Sequence, residues 1–229
     1  NWQRLIQSKG YELINNQFVP IGNSTSFEYV DELITDGSPT VNRHLTALYR
    51  SNLSAPVQAL LRHGILNKEL TFFDYGCGRG DDLASLVNAG YNAVGWDPHY
   101  QPELPKITSD IINIGFVLNV IEDPAERIEA LTGAFKLAKQ ALVVAVMLYT
   151  PDIKGKPYKD GVLTSRNTFQ KYFTQTELKD YIEHALNRSA FMLAPGIAVI
   201  FANDEFEQKF SLNRLRNKTL TSRLLGGNF

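Results

Sequence analysis

The chain has 229 residues, 44% of them apolar, and a formal net charge of −1 at pH 7. It is long enough to bury one substantial core, and too nearly neutral for a global field that would draw it to a polyanion. It has no apolar run suited to a membrane span and no signal-peptide pattern, and its single cysteine, Cys77, excludes an internal disulfide or a cysteine-rich zinc site. These features fit a cytoplasmic protein with no metal and no membrane partner. The first residue is Asn1 rather than methionine, so the chain is read as a piece of something longer.

Residues 1–38 read as a separate appendage. Tyr11–Ile14 and Gln17–Pro20 flank Asn15-Asn16 as two arms of a hairpin, and Phe27–Ile34 is expected to form a short helix ended by Asp36-Gly37-Ser38-Pro39. The main domain is expected over 39–204. Arg43–Arg50 and Ala55–His63 read as helices, with Pro56 in the first turn of the second and Ser54 as its cap. Arg43, His44 and Arg50 either reach a site or form a solvated helix edge. Leu70–Tyr75 has the character of a buried strand, Asp82–Ala89 of a helix stopped by Gly90, and Asn92–Trp96 of a second strand.

Only residues 98–109 separate Asp97 from the next strand, Asp110–Phe116. A further strand with its own helices cannot fit there, and Pro98, Pro102 and Pro105 favour extended backbone. A third strand at that sheet edge is therefore expected to be missing or vestigial. Pro124–Ala138 reads as a helix with Ile128, Leu131 and Phe135 on its apolar face, and Ala141–Leu148 as a central strand buried on both sides. A helix capped by Thr174 or Thr176 runs to Leu186, and Phe191–Leu193 and Ile197–Phe201 form a closing hairpin turned at Pro195-Gly196. Residues 205–229 read as a basic helical tail with Lys209, Arg214, Arg216, Lys218 and Arg223, either a solvated face or an extension of a binding surface.

The chemistry concentrates at two strand ends. Asp74-Tyr75-Gly76-Cys77-Gly78-Arg79-Gly80-Asp81-Asp82 takes a strand through a tight glycine turn into a helix, and Gly95-Trp96-Asp97 ends the next strand in a carboxylate. The Gly76-x-Gly78-x-Gly80 spacing is not the G-x-G-x-x-G of dinucleotide sites, and three carboxylates around the turn would repel a pyrophosphate. They suit a ligand that carries an ammonium and a sulfonium. An acid in the place of Asp97 holds a ribose diol. The candidate cofactor contacts are Asp74, Gly76, Gly78, Gly80, Asp82, Trp96, Asp97 and Asn119. Trp96 either flanks an adenine or packs beneath it. Asn119, Glu122 and Lys171 are the candidate catalytic residues. Cys77 reads as a small packed side chain rather than a nucleophile.

Residues 149–173 form a long polar insertion at the same edge, mixing basic and aromatic side chains. Tyr149, Arg166 and Lys171 are its candidate substrate contacts. Such a mixture suits a nucleic-acid or other phosphate-bearing acceptor, and equally an ordinary lid.

The glycine turn and the Trp96-Asp97 pair resemble the first motifs of the class I S-adenosylmethionine-dependent methyltransferases. The resemblance implies a Rossmann-like α/β fold with a mostly parallel sheet and an antiparallel closing hairpin, and S-adenosylmethionine as cofactor. More narrowly, Arg43 to about Arg216 resembles the methyltransferase family associated with bacterial DNA phosphorothioation. The matching runs are Arg43–Leu48, Asp74–Asp82, Gly95–Pro98, Leu118–Pro124, Asp160–Thr164, Thr168–Phe173 with Gln175–Leu178, and Ala194-Pro195-Gly196. That family implies a setting in DNA modification and defence, with the partners of such a system, and its members are usually longer than this chain. Phe116–Ile121 is not the Asn/Asp-Pro-Pro-aromatic motif of amino-group DNA methyltransferases. The expectation is thus an S-adenosylmethionine-dependent methyltransferase with a nucleic-acid-linked acceptor. The alternatives are a small-molecule methyltransferase and a non-catalytic sensor that binds the cofactor.

Overall fold

A computed structural model describes residues 11–14, 17–20, 41–47 and 52–225. The chain divides into two compact units, Asn1–Thr40 and Val41–Phe229. In the first, β1 (Tyr11–Ile14) pairs antiparallel with β2 (Gln17–Pro20), as the hairpin reading expects. The expected helix at Phe27–Ile34 lies outside the described residues.

The second unit is built around β3 (Thr71–Tyr75), whose neighbours Phe72 and Phe73 are both fully buried. Adjacent strand residues point to opposite faces, so a strand apolar at both must be covered on both sides. Phe72 belongs to the buried cluster that includes Val57 and Leu60 of α1 (Ala55–Arg62), and Phe73 to the cluster that includes Leu131 and Ala134 of α3 (Pro124–Leu137). Around it lie β4 (Asn92–Trp96), β5 (Ser109–Gly115), β6 (Ala138–Ala145), β10 (Ala190–Ala194) and β11 (Ile197–Phe201). Among the described residues the sheet order is β10-β11-β6-β5-β3-β4. The four strands from β6 to β4 run parallel, and β11 and β10 close the other edge antiparallel. This is the expected Rossmann-like, mostly parallel sheet with its antiparallel closing hairpin. Among the described residues the sheet ends at β4: residues 98–108 form turns and extended chain, with one isolated bridge, Asp97 to Gln101. The third strand is missing, as the short spacing and the prolines require.

Several local expectations are corrected. Arg43–Thr46 is a single 3-10 turn, and Ala47 is already extended; residues 48–51 lie outside the description. Ser54 precedes α1, but its hydroxyl makes no capping bond; its backbone N–H instead donates to Asp82 Oδ1 at 2.7 Å, which ties α1 to α2 (Asp81–Asn88). On α3 the buried positions are Arg127, Ala130, Leu131 and Ala134, while Ile128 faces solvent. β6 starts three residues earlier than expected, because α3 runs straight into it and Ala138 pairs with Ser109 at the start of β5. Residues Val146–Leu148 have left the ladder: Val146 bonds Gly196 O, and Leu148 bridges to Phe173.

The insertion is a folded element, not an open loop. β7 (Lys156–Tyr158), β8 (Gly161–Leu163) and β9 (Phe169–Gln170) make a small antiparallel sheet with Phe169 fully buried. It leads into α4 (Gln175–Leu186), which Thr174 and Glu177 start with a reciprocal capping box. The final helix, α5 (Asp204–Leu225), is not solvated all round: Phe206 and Phe210 pack on Phe201, and Phe210 also on Phe191.

Candidate cofactor site

Strands β3, β4 and β5 run parallel, so their carboxyl ends open at one edge of the sheet, where the chain must turn toward the next element. A cavity of about 580 Å³ occupies that edge, within the size range of small-molecule sites. The turn after β3 forms its floor. Gly76 has φ +84°, a left-handed value that favours glycine, and a Cβ there would collide with Val117 Cγ2 from the loop after β5. Gly80, at φ +80°, is the residue before α2, so the turn passes directly into the helix. The loop is pinned from below: Gly76 N and Cys77 N both donate to Trp96 O, at 2.8 and 3.1 Å.

Asp97 is held by backbone donors on both of its oxygens. One carboxylate oxygen accepts from Gly78 N at 2.9 Å, and the other from His99 N at 2.9 Å and Tyr100 N at 3.0 Å. A half-buried carboxylate thus draws the glycine loop and the 98–100 turn together. Asp74, 5% exposed, lies across the strand pair from Asn113, whose Nδ2 donates to Asp74 Oδ1 at 2.8 Å. Burial pushes the Cys77 thiol up to about 12, helped by Asp74 and Asp97. A thiol raised in this way fits the packing role expected of Cys77. At the end of β5, Phe116 stands at φ +61°, an uncommon conformation for a bulky residue, and its N–H donates to Ala145 O at 2.7 Å.

A strap closes the cavity from above. Asn42 N donates to Asn167 O at 3.0 Å, and Ala47 lies against Gly78, where a Cβ would sit only 3.3 Å away. His44 stacks on His99 with centroids 4.3 Å apart, and Tyr100 Oη donates to His44 O at 3.1 Å. Arg43 reaches the start of α3, with Nε 2.8 Å from Glu122 Oε2 and Nη2 2.6 Å from Glu126 Oε2. Burial disfavours the Glu122 carboxylate, but the hydrogen bond and charge of Arg43 hold it below the usual carboxylate range.

The structure therefore brings Asp74, Gly76, Gly78, Asp82, Trp96 and Asp97 to one cavity. Gly80 shapes the turn without lining it. Trp96 is half-buried, with Lys106 Nζ 3.8 Å from its ring centroid and Tyr75 tilted against it at 5.2 Å. Lys106 comes from the segment that replaces the absent strand, and its Nζ also donates to Tyr75 Oη at 3.0 Å. The other candidates sit elsewhere. Asn119 is 2% exposed, and its Nδ2 donates to Gln170 Oε1 at 2.9 Å, holding β9 against the loop after β5. Glu122 serves as the anchor of Arg43. Lys171 is buried, its ammonium 2.7 Å from Glu177 Oε1 and 3.4 Å from Asp160 Oδ2. Tyr149 and Arg166 are exposed, away from the cavity lining.

Sequence reading missed a buried ionic joint beside Lys171. Arg127 is 1% exposed; its guanidinium binds Asp160 through Nη1 at 2.7 Å and Nη2 at 3.1 Å, and donates twice to Ile121 O. The joint fastens the small sheet to α3 and α4, so the charge of Lys171 is neutralised there. A charged residue on the apolar period of α3, one place from the expected Ile128, was the available signal. Asn113 was missed too; a lone amide inside the apolar run Asp110–Phe116 was its signal.

The lining carries six carboxylates, Asp74, Asp81, Asp82, Asp97, Glu126 and Glu129, against the cations Arg43, Arg79 and Lys106. The balance is negative, and a cationic nucleoside fits it where a pyrophosphate does not. Among the described residues no cluster of His, Cys, Asp and Glu is suited to a metal ion, and no helix is long and apolar enough to cross a membrane.

No family model and no curated protein matches the chain. Solved structures with a similar backbone include a 1,6-didemethyltoxoflavin N1-methyltransferase from Burkholderia thailandensis, bound to its substrate and S-adenosylhomocysteine. It is 15% identical, with 64% of this chain and 79% of that chain covered and a TM-score of 0.44. A magnesium protoporphyrin IX methyltransferase from Synechocystis PCC 6803 gives 15% identity, 64% and 80% coverage, and a TM-score of 0.45. A SAM-dependent methyltransferase from Methanosarcina mazei gives 14% identity, 66% and 97% coverage, and a TM-score of 0.49. Likenesses this distant assign no residue of the site.

Proposed function

We propose that the chain is an S-adenosylmethionine-dependent methyltransferase domain whose acceptor is a small neutral or cationic molecule. The observation that carries this is the convergence of Asp74, the glycine turn and Asp97 on one negatively charged cavity at the carboxyl edge of the sheet. Asp97 would accept from one ribose hydroxyl while keeping its three backbone donors, since Oδ2 has one lone pair left beside Gly78 N. Gly76 and Gly78 leave room for the cofactor to lie along the backbone, and Trp96 offers a face to the adenine. The bound cofactor supplies an electrophilic methyl; the protein positions the acceptor in line with it and excludes water. The strap from Asn42 to Ala47 is suited to that exclusion.

A second reading keeps the nucleic-acid-linked acceptor and the phosphorothioation setting that the resemblance implies, with partners of such a system in the cytoplasm. What favours it is the exposed side chains of Lys154, Lys156, Lys159 and Arg166 on and beside the small sheet. Against it stand the acidic cavity and the neutralised Lys171.

Calorimetric titration with S-adenosylmethionine, with NAD as control, tests the cofactor. Binding of S-adenosylmethionine alone is expected, and binding of NAD alone would refute the reading. An acceptor screen with labelled methyl then separates the two acceptors. Transfer to DNA or RNA that falls steeply as salt rises would favour the second reading over the first.

A further inference from the structure

Two polar side chains in the cavity lining have ends that no described protein group uses. Ser54 and Asn113 are 5% and 2% exposed, and both line the cavity. Among the described residues neither Ser54 Oγ nor Asn113 Oδ1 has a hydrogen-bond partner. Buried polar atoms in folded proteins are nearly always paired, so two orphans at one cavity point to a ligand. They belong to neighbouring elements. A Cβ on Gly115 of β5 would lie 3.0 Å from Asn113 Nδ2 and 3.2 Å from Pro56 Cγ, so the start of α1 sits against this end of the strand.

The chemistry of the orphans is defined. Asn113 Nδ2 donates to Asp74 Oδ1, a carboxylate that only accepts, so the free end of the amide is its oxygen. The Ser54 backbone N–H is engaged by Asp82 Oδ1, leaving the hydroxyl unused. An amide oxygen and a hydroxyl beside the Asp74 carboxylate call for a cationic group with several N–H donors. A carboxylate or phosphate would meet acceptors and negative charge instead.

We infer that Asn113 Oδ1 and Ser54 Oγ, together with Asp74, bind the primary ammonium of the cofactor's amino-acid portion. This rests on the S-adenosylmethionine reading above. Neither residue belongs to the glycine turn or to the strand end at Asp97. The pair makes the ammonium a condition of tight binding and confers selectivity on a corner that the glycine turn leaves open.

The test is calorimetry with S-adenosylhomocysteine and with its desamino analogue, in which hydrogen replaces the amino group. Wild type, Ser54→Ala and Asn113→Leu are compared, with melting curves to confirm folding. Wild type is expected to prefer S-adenosylhomocysteine by about tenfold or more. Each variant should narrow that preference several-fold, losing affinity for S-adenosylhomocysteine and holding its affinity for the analogue to within about twofold. Ser54→Ala deletes an oxygen that has no partner among the described residues, so it decides the matter if Asn113→Leu does not fold. Equal loss for both ligands, or loss for neither, would overturn the assignment. A wild type that binds both ligands equally refutes only the ammonium contact. A wild type that binds neither refutes the cofactor reading, and the assignment with it.

Discussion

Replacing Asp97 with alanine separates two roles that the sequence alone would merge. A residue that only clasped a ribose would leave the ligand-free protein unharmed when removed. Here Asp97 accepts from three backbone N–H groups, Gly78 at 2.9 Å, His99 at 2.9 Å and Tyr100 at 3.0 Å. Hydrogen bonds to a charged group contribute about 1.5–3 kcal/mol each, but water can replace part of what a half-exposed carboxylate provides. We therefore expect a net loss of about 2–3 kcal/mol, and for a domain of this size a fall in Tm of about 5–10 °C without ligand. Asp97→Asn keeps the shape but turns an NH2 toward at least one of the donors, so it should fall between wild type and alanine. The assay is thermal unfolding of the ligand-free proteins, followed by calorimetry with S-adenosylmethionine. A ligand-free Asp97→Ala melting with wild type, yet unable to bind, would show that the carboxylate serves the ligand alone. It would refute the claim that it assembles the loop.

Arg127→Met should destabilise by about 2–3 kcal/mol, read from chemical denaturation, because it removes both guanidinium bonds to Asp160 and both to Ile121 O, leaving Asp160 only its longer contact to Lys171. Burial works against the Asp160 carboxylate, but Arg127 and Lys171 hold its pKa below the ordinary 3.8. A depressed carboxylate pKa adds stability above its unfolded value and loses it as pH falls through the folded one. The gap between wild type and the variant should thus be level at neutral pH and shrink in acid below 3.8; a gap that widened in acid would contradict the pairing. Gly76→Ala should abolish cofactor binding in calorimetry, since it needs φ +84° and meets Val117; an unchanged affinity would mean the turn is free to shift. Arg43→Ala should cost no more than about 1 kcal/mol, its ion pairs being half-exposed, yet speed cofactor release in stopped-flow traces by loosening the strap. Cys77, half-buried with its thiol raised to about 12, should resist alkylation at pH 8 in the folded protein and react on unfolding, as read by mass spectrometry; rapid labelling of the folded chain would refute the raised pKa.

Much of the fold was legible because it rests on local rules. The apolar run Phe72-Phe73 could only be a strand covered on both faces, and the two-residue turn at Pro195-Gly196 could only join antiparallel neighbours. Even the absent strand was legible, since residues 98–108 are too few and too rich in proline to supply one. The errors fell where a distant contact overrules local preference. Ile128 has the right period for burial but yields its place to Arg127, because Asp160, far along the chain, supplies a partner that makes a buried guanidinium tolerable. Lys171 reads as a free cation beside the site, and its charge is consumed by Asp160 and Glu177.

What the amino-acid sequence determined by itself was the cradle: the glycines, the carboxylates around them and the acid at the end of β4 are close in sequence, and backbone geometry fixes how they turn. The tertiary structure alone decided which polar groups are spoken for. Hydrogen-bond satisfaction depends on partners brought together from separate elements, so only the folded chain could show that Lys171 is already paired and that the Asn119 amide nitrogen is engaged by Gln170, away from the cavity lining. By the same logic, only the folded chain could leave Ser54 and Asn113 buried in the cavity lining with an oxygen each to offer.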